Sequence, residues 1–196
     1  MPQSFSAVYL HTIFSTKERR PYLQDLAFRM TLHAYLGVIS KNLGCAPLCV
    51  GGVEDHVHIL ARLSRTITQA DWIKELKRAS SVWINAQPMQ LEKFSWQSGY
   101  ACFSVSASNL DAVTSYVANQ QIHHHKVSFQ DELRVILKKH GESWDCNTFG
   151  ISNSSDKTAL IFNTNGVASS SLGLRRTRYP RNDGVWNSNP KGVASN

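Results

Sequence analysis

The sequence predicts an α+β fold in which an antiparallel sheet is built in the order βαββαβ, with helices on one face. Three observations lead to this prediction. Four short segments have the apolar patterns of strands, whereas apolar residues recur at helical spacing in the longer segments between them. Two of the short segments follow each other directly, as in a hairpin. Further helical segments and a polar tail follow the fourth strand.

The first strand is predicted at residues 5–15, where apolar side chains fall on both faces, as in a central strand. From 23 to 43 apolar residues recur at helical spacing, and Gly44 then provides a stop signal. Two apolar strands follow at 45–50 and 56–63. The short polar and glycine-containing link between them indicates a hairpin.

The second helix is predicted at 68–87. Thr68 is suited to cap its first turn, and Asp71 follows three residues later, as in a capping box. A fourth strand is predicted at 99–105. These two segments complete the βαββαβ order.

Two C-terminal helices are predicted after the sheet. Ser108 or Asn109 can cap the first of them, which we expect to run to about His125. Ser128 opens the second, and its pattern ends near Lys139. The sequence thus predicts helices beyond those that the βαββαβ unit requires.

Composition indicates one domain followed by an appendage. The chain has 196 residues, of which 42% are hydrophobic, enough for a single core. We place the domain at 1–146. Residues 147–196 are rich in Asn, Ser, Gly and Thr without any period, and we predict a disordered tail there. An approximate repeat inside the tail also raises the alternative that translation runs on into repetitive DNA beside the gene.

The charge and the cysteines indicate a cytoplasmic protein with a polyanionic partner. The net charge is +7, but residues 147–196 hold six basic and two acidic residues and so carry +4 of it. Global charge therefore supports a nucleic-acid partner only mildly. The four cysteines form no Cys-x-x-Cys pair, which favours reduced thiols, and we expect no membrane segment or export signal.

The most informative motif is a pair of histidines, His56 and His58, in the third predicted strand. Alternate side chains of a strand share a face, so the two imidazoles point the same way. Two such neutral imidazoles can hold a divalent cation and leave positions open for a substrate oxygen. A buried histidine beside an ordinary surface one is the competing interpretation.

A second polar set lies on the helix predicted at 109–125. Tyr116 and Gln120 are four residues apart and so share a helix face, and His123 and His124 follow at helical spacing. Gln120 can supply an amide oxygen as a further metal ligand, in a set suited to Mg²⁺ or Mn²⁺. A strand-borne metal pair with a helix-borne tyrosine predicts phosphoryl transfer through a tyrosine nucleophile. His125 is interpreted as a solvated helix end.

Basic residues form two clusters that could contact DNA, although a solvated face is the usual explanation for such clusters. Their members are Lys17, Arg19 and Arg20 after the first strand, and Lys74, Lys77 and Arg78 on the second helix. Aromatic residues near the second cluster would suit the stacking of unpaired bases. They are Trp72, Trp83, Trp96 and Tyr100.

With these motifs in order, the chain resembles the single-tyrosine transposases of the HUH superfamily, which include the IS200-like and REP-associated tyrosine transposases. The resemblance implies an RRM-like (ferredoxin-like) fold and a mobile-element enzyme that cleaves and rejoins single-stranded DNA, often beside a hairpin. The matching stretches are 10–17, 55–60, 72–81, 96–106 and 116–124.

Carried over by position, the resemblance implies roles for four residues. His56 and His58 would be the metal-binding pair, Gln120 the further ligand to Mg²⁺ or Mn²⁺, and Tyr116 the nucleophile that forms a 5′-phosphotyrosine. Relatives differ in whether the tyrosine serves its own subunit or that of a homodimer partner, so both arrangements stay open.

Two other functions fit the same residues. One is a replication-initiator nickase that uses the same metal site, although the single candidate tyrosine and the short chain favour it less. The other is a non-catalytic single-strand-binding module, a decayed or domesticated element copy, for which the basic cluster at 74–78 is the motivating feature.

Overall fold

A four-stranded antiparallel sheet forms the centre of the protein. The computed structural model describes residues 5–88 and 92–142, all within one compact unit. The strands are β1 (Tyr9–Ser15), β2 (Ala46–Gly52), β3 (His56–Arg62) and β4 (Ala101–Val105). They are ordered β2-β3-β1-β4 and every neighbouring pair is antiparallel, which confirms the predicted α+β sheet.

Five α-helices surround the sheet in the described part of the chain. They are α1 (Leu26–Asn42), α2 (Gln69–Asn85), α3 (Leu110–Ala118), α4 (Gln120–His124) and α5 (Phe129–Lys139). The predicted cap of α2 is present, because the Thr68 side chain accepts a hydrogen bond from the Asp71 amide. Short 3₁₀ turns occupy Lys17–Arg19 and Ala107–Asn109.

The helix predicted at 109–125 is divided in two. Asn119 has φ −101° and ψ 20°, outside the helical range, and separates α3 from α4. Its side-chain amide donates to the Ser115 carbonyl oxygen at 2.7 Å. An asparagine can satisfy a helix end through its own side chain, and the periodicity of the sequence did not reveal this break.

The larger core lies between one face of the sheet and helices α1 and α2. Alternation along β1 and β3 places apolar residues on this face, and apolar residues of both helices pack against them. The fully buried members include Phe14, Val57, Ile59, Leu32, Leu36, Trp72 and Leu76. This is the face that the sequence predicted to be covered by helices.

The opposite face has a smaller core under the C-terminal helices. Ile13 of β1 and Phe103 of β4 pack there against Phe129, Leu133 and Leu137 of α5. Because His58 is the register partner of Ile13 in the β1–β3 pair, it points to this second face as well. The C-terminal helices therefore cover the face that carries the histidine pair.

Close backbone packing sets the position of α3. Gly51 of β2 is the register partner of His58, and a Cβ atom at Gly51 would collide with the backbone carbonyl oxygen of Val117. Any larger residue would push α3 away from the sheet. Since Val117 follows Tyr116 directly, Gly51 allows Tyr116 to approach the histidine strand.

The predicted disordered tail at 147–196 and its boundary after residue 146 lie outside the described residues. Among the described helices, α1 and α2 are the longest at 17 residues each, and none has the length and hydropathy that a membrane span requires.

A half-buried histidine makes stability depend on pH. His33 on α1 has no hydrogen-bond partner for its Nε2 atom within 5–88 and 92–142. Burial, assisted by the charge of Arg29, lowers the pKa of His33 to about 4. The unfolded chain, with an ordinary histidine pKa, binds more protons than the folded state between about pH 6.5 and pH 4. The part of the free energy of unfolding that neutral His33 contributes at pH 7 is therefore lost as the pH falls through this window.

We expect His33→Leu to reduce the loss of stability on acidification. The folded protein keeps His33 unprotonated. Between pH 7 and pH 5 this should account for about 1–2 kcal/mol of the fall in the free energy of unfolding. Urea unfolding of the wild type and the variant at both pH values measures this difference. The same substitution at the exposed His125 is the control. Equal pH dependence in wild type and His33→Leu would contradict the assignment.

Candidate functional site: a buried histidine and glutamate cluster

The histidines of β3 are held so that one nitrogen of each ring stays unpaired. His56 and His58 are both fully buried. The Nδ1 atom of His56 lies 2.7 Å from Asp55 Oδ1, and the Nδ1 atom of His58 lies 2.9 Å from Nε2 of His11. Their Nε2 atoms are buried without a hydrogen-bond partner among the described residues. A hydrogen bond at one nitrogen fixes the tautomer that leaves the other available to a cation.

Asp55 is itself fixed by Arg19. The guanidinium donates through Nε and Nη2 to Oδ2 of Asp55 at 3.2 and 3.1 Å, and it lies 5.5 Å from the centre of the Phe129 ring. Arg19 and the preceding Glu18 both have a φ of 55°, a left-handed conformation that costs a non-glycine residue about 1–2 kcal/mol. The strained backbone at Glu18 and Arg19 thus places the guanidinium against the Asp55 carboxylate that contacts His56.

Helices α3, α4 and α5 bring further polar groups to the same place. Tyr116 comes from α3, Gln120 and His124 from α4, and Glu132 from α5. Tyr116 packs edge-on to the His58 ring, with 5.9 Å between ring centres. Gln120 is 1% exposed and its Oε1 atom is buried without a hydrogen-bond partner among the described residues.

Glu132 lies at the centre of this cluster although it is only 3% exposed. Its Oε2 atom is 3.3 Å from Nε2 of His124, 3.5 Å from Nε2 of His58 and 3.8 Å from Nε2 of His56. Its Oε1 atom accepts hydrogen bonds from the Tyr116 hydroxyl and, at 3.1 Å, from Nε2 of Gln120. One carboxylate therefore lies within 3.8 Å of polar groups from β3, α3 and α4.

The electrostatics follow from this arrangement. Burial opposes ionisation of Glu132, but the adjacent imidazoles of His124 and His58 outweigh it and lower the pKa of Glu132 far below its usual range. Burial and the nearby Glu132 charge raise the pKa of Tyr116, so its hydroxyl stays protonated as a hydrogen-bond donor. Burial, reinforced by His58, lowers the pKa of His11 to about 3 and keeps that ring neutral.

The donor set fits a divalent cation. Ligand atoms of His56, His58, His124 and Glu132 all lie within 4.8 Å of one another. Ligands ~2.1 Å from a tetrahedral ion would be separated by ~3.4 Å, close to the three distances from Glu132 Oε2. The buried Nε2 atoms of the three histidines and the Oε2 atom of Glu132 have no hydrogen-bond partner within the described ranges. Unpaired buried donors and acceptors are costly, and a bound cation would satisfy all four.

The family profile described as "Transposase IS200 like" matches residues 4–120 of the chain. The chain belongs to this family of transposases. The match includes the histidine strand, Tyr116 and Gln120 but ends before Glu132, which a later helix of the transposase supplies.

Solved structures with a similar chain trace include two proteins with transposase names. One is a candidate transposase from Deinococcus radiodurans R1, with 24% identity and a TM-score of 0.48, covering 61% of this chain and 95% of that one. The other is a REP-associated tyrosine transposase bound to a REP hairpin, with 12% identity and a TM-score of 0.48, covering 80% and 98% of the two chains. No curated protein matches the chain.

The structure brings the predicted metal and nucleophile residues of this transposase together. His56, His58, Tyr116 and Gln120 all lie in the Glu132 cluster, in a single subunit. The four side chains are thus adjacent, while the roles assigned to them stay predictions.

The predicted DNA-binding residues have varied environments. Lys17 and Lys74 are exposed, Arg20 pairs with Glu92 at 3.0 Å, and Arg78 pairs with Glu75 at 2.8 Å. Arg19 holds Asp55 within the site, as described above. DNA contact by these residues stays a prediction.

Lys77 has an internal role. Its amine donates to the carbonyl oxygens of Gln97, Ser98 and Gly99 at 2.6, 3.2 and 2.8 Å, which uses all three of its hydrogens. It therefore fastens the loop before β4 to α2. Trp72 and Trp96 are buried and hydrogen-bonded to serines, so base stacking on these two rings is ruled out.

Sequence reasoning missed Glu132, Asp55 and His11 as members of the site. A signal for Glu132 was present, because it falls on the apolar stripe of α5 between Phe129 and Leu133, where an unpaired carboxylate would be costly. Asp55 precedes His56 directly, but its contact with the imidazole depends on the bend between β2 and β3.

We expect Asp55→Asn to weaken binding of Mn²⁺ by about 10–100-fold, because the amide orients His56 less strongly and leaves Arg19 without its carboxylate. Isothermal titration of the metal-free protein with Mn²⁺ measures the affinity. Glu54→Gln is the matched control, since Glu54 is the adjacent acidic residue and is exposed. Equal weakening in both variants would show a general charge effect and contradict the role of Asp55.

Proposed function

We propose that this transposase cleaves and rejoins single-stranded DNA through a covalent bond between Tyr116 and a 5′ phosphate. The observation that supports the proposal is the shared carboxylate: the Tyr116 hydroxyl donates to Glu132, and the unpaired imidazole nitrogens of His56 and His58 face the same side chain. A candidate nucleophile and a candidate cation site are thus adjacent in one subunit.

The reaction exchanges one phosphate ester for another. The Tyr116 oxygen forms a bond to phosphorus while the bond from phosphorus to the 3′ oxygen breaks. The 5′ phosphate stays on Tyr116. The Tyr116 hydroxyl loses its proton in this step, and the departing 3′ oxygen takes up one proton, so that strand ends in a 3′ hydroxyl. A 3′ hydroxyl from another strand can attack the phosphotyrosine in turn, so strands are joined without an external energy source.

His56 and His58 would hold a divalent cation, together with Gln120 or with the other donors of the cluster. When bound, such an ion offsets negative charge on the phosphate oxygens and helps to orient the scissile bond. The protein contributes a fixed tyrosine, since Tyr116 is held at its hydroxyl by Glu132 and along its backbone by the packing of α3 on Gly51.

Single-stranded DNA next to a hairpin is the proposed substrate, on the basis of the sequence resemblance. The exposed Lys17 and Lys74 are the first candidates for phosphate contacts, because neither side chain has to leave a carboxylate partner described in the structure. Arg20 and Arg78 would have to exchange a carboxylate partner for phosphate.

We expect Tyr116→Phe to abolish formation of a covalent protein–oligonucleotide adduct, with a loss of at least about 100-fold, because the phenyl ring has no attacking oxygen. Incubation of labelled single strands with Mn²⁺, followed by denaturing electrophoresis, measures the adduct. Tyr35→Phe is the matched control, since Tyr35 stacks on Trp83 in α2 and has no contact with the cluster among the described residues.

An undiminished adduct in Tyr116→Phe would show that another residue is the nucleophile. Tight binding of single strands by the wild type, with no adduct under any metal condition, would instead favour the non-catalytic binding module. Cleavage without any joining of ends would favour the nickase.

A further inference from the structure

The two oxygens of Glu132 face different halves of the site. Oε2 is directed at the imidazoles, with Nε2 atoms of His124, His58 and His56 at 3.3, 3.5 and 3.8 Å. Oε1 accepts the hydrogen bonds of the Tyr116 hydroxyl and the Gln120 amide, and it also lies 3.6 Å from Nε2 of His123. This division is a property of a single, fully enclosed side chain.

The position of Glu132 on α5 argues against an incidental surface contact. The residues around it on the same helix face, Phe129, Leu133 and Leu137, are buried against the sheet. A carboxylate on such a face loses its hydration and is tolerated only when other groups compensate for the loss. The compensating groups here are the histidines, the tyrosine and the glutamine of the site.

We propose that Glu132 joins the cation site to the nucleophile. Its Oε2 atom completes a ligand set with His56, His58 and His124, and its Oε1 atom holds the Tyr116 hydroxyl beside that set. This proposal has two halves. The ligand half, in which Glu132 binds the cation, stands on the cluster alone. The positioning half, in which Glu132 holds the Tyr116 hydroxyl, rests on the proposed function of Tyr116.

The composition of this ligand set indicates a class of metal. Three imidazole nitrogens and one carboxylate oxygen suit Mn²⁺, Co²⁺ or Zn²⁺ better than Mg²⁺, which prefers oxygen ligands and retains its water. The sequence-based choice between Mg²⁺ and Mn²⁺ is therefore narrowed to Mn²⁺. Because the fourth proposed ligand, Glu132, lies on α5, the cation site is complete only when α5 packs against the sheet.

The first test measures metal binding by the full chain without DNA. We expect Glu132→Gln, which preserves side-chain size and removes the anionic oxygen, to weaken Mn²⁺ binding by at least about 10-fold in isothermal titration. Glu142→Gln makes the same change at an exposed glutamate just after α5 and should leave the affinity unchanged. The wild type should bind Mn²⁺ at least about 10-fold more tightly than Mg²⁺.

A second variant tests the same ligand set independently, in case Glu132→Gln does not fold. His124→Gln removes a different proposed ligand, from α4, and should weaken Mn²⁺ binding by a similar factor, with a circular dichroism spectrum like that of the wild type. Unchanged Mn²⁺ affinity in folded Glu132→Gln, or in folded His124→Gln, would overturn the ligand assignment.

The positioning half is tested with Mn²⁺ at saturation. We expect Glu132→Gln to form the Tyr116 adduct about 10–100-fold more slowly than the wild type even when metal is saturating, because its neutral amide holds the hydroxyl less firmly. A wild-type rate at saturation would overturn the positioning role.

The two proposals fail separately. A wild type that forms no adduct, while Glu132→Gln still loses Mn²⁺ affinity, would refute the proposed function and leave the ligand half intact. A wild type that forms the adduct, with Mn²⁺ affinity equal in Glu132→Gln, would refute the inference and leave the proposed function intact.

Discussion

Burial of the Glu132 carboxylate is the constraint on which the site depends. An ionised side chain without water is stable only if donors surround it, and here the Tyr116 hydroxyl and the Gln120 amide are among those donors. Each of these partners reaches the carboxylate from a different helix. The C-terminal helices can therefore cover the second face of the sheet only when the polar groups meet one another, which couples the folding of this face to the assembly of the site.

The sheet supplies the rigid half of this arrangement. His58 is buried on a central strand, and its contact with His11 on the adjacent strand fixes the orientation of its ring. His56 at the start of the same strand is fixed through Asp55 and Arg19. Packing sets the positions of the helices relative to the sheet, and Gly51 determines how closely α3 can approach it. A scaffold of this kind holds Tyr116 and the histidines at defined separations before any substrate arrives.

Local patterns in the sequence predicted much of the fold and part of the site. Strand alternation placed His56 and His58 on one face, and capping chemistry located the start of α2 at Thr68, because both depend on neighbouring residues. Glu132 could not be assigned in this way, since its partners come from β3, α3 and α4. The sequence pattern likewise indicated that Lys77 is a surface cation, whereas in the structure its amine binds the loop before β4. Contacts between distant segments decide such roles, and periodicity does not encode them.

A crystal structure of the full chain soaked in Mn²⁺, with the ion located by its anomalous scattering, would show directly whether Glu132 joins the cation site to Tyr116. We expect a single strong peak within ligand distance of Nε2 of His56, His58 and His124 and of Oε2 of Glu132, with the Tyr116 hydroxyl still bound to Oε1. A peak coordinated without Glu132, or a Tyr116 side chain directed away from the occupied site, would contradict this expectation.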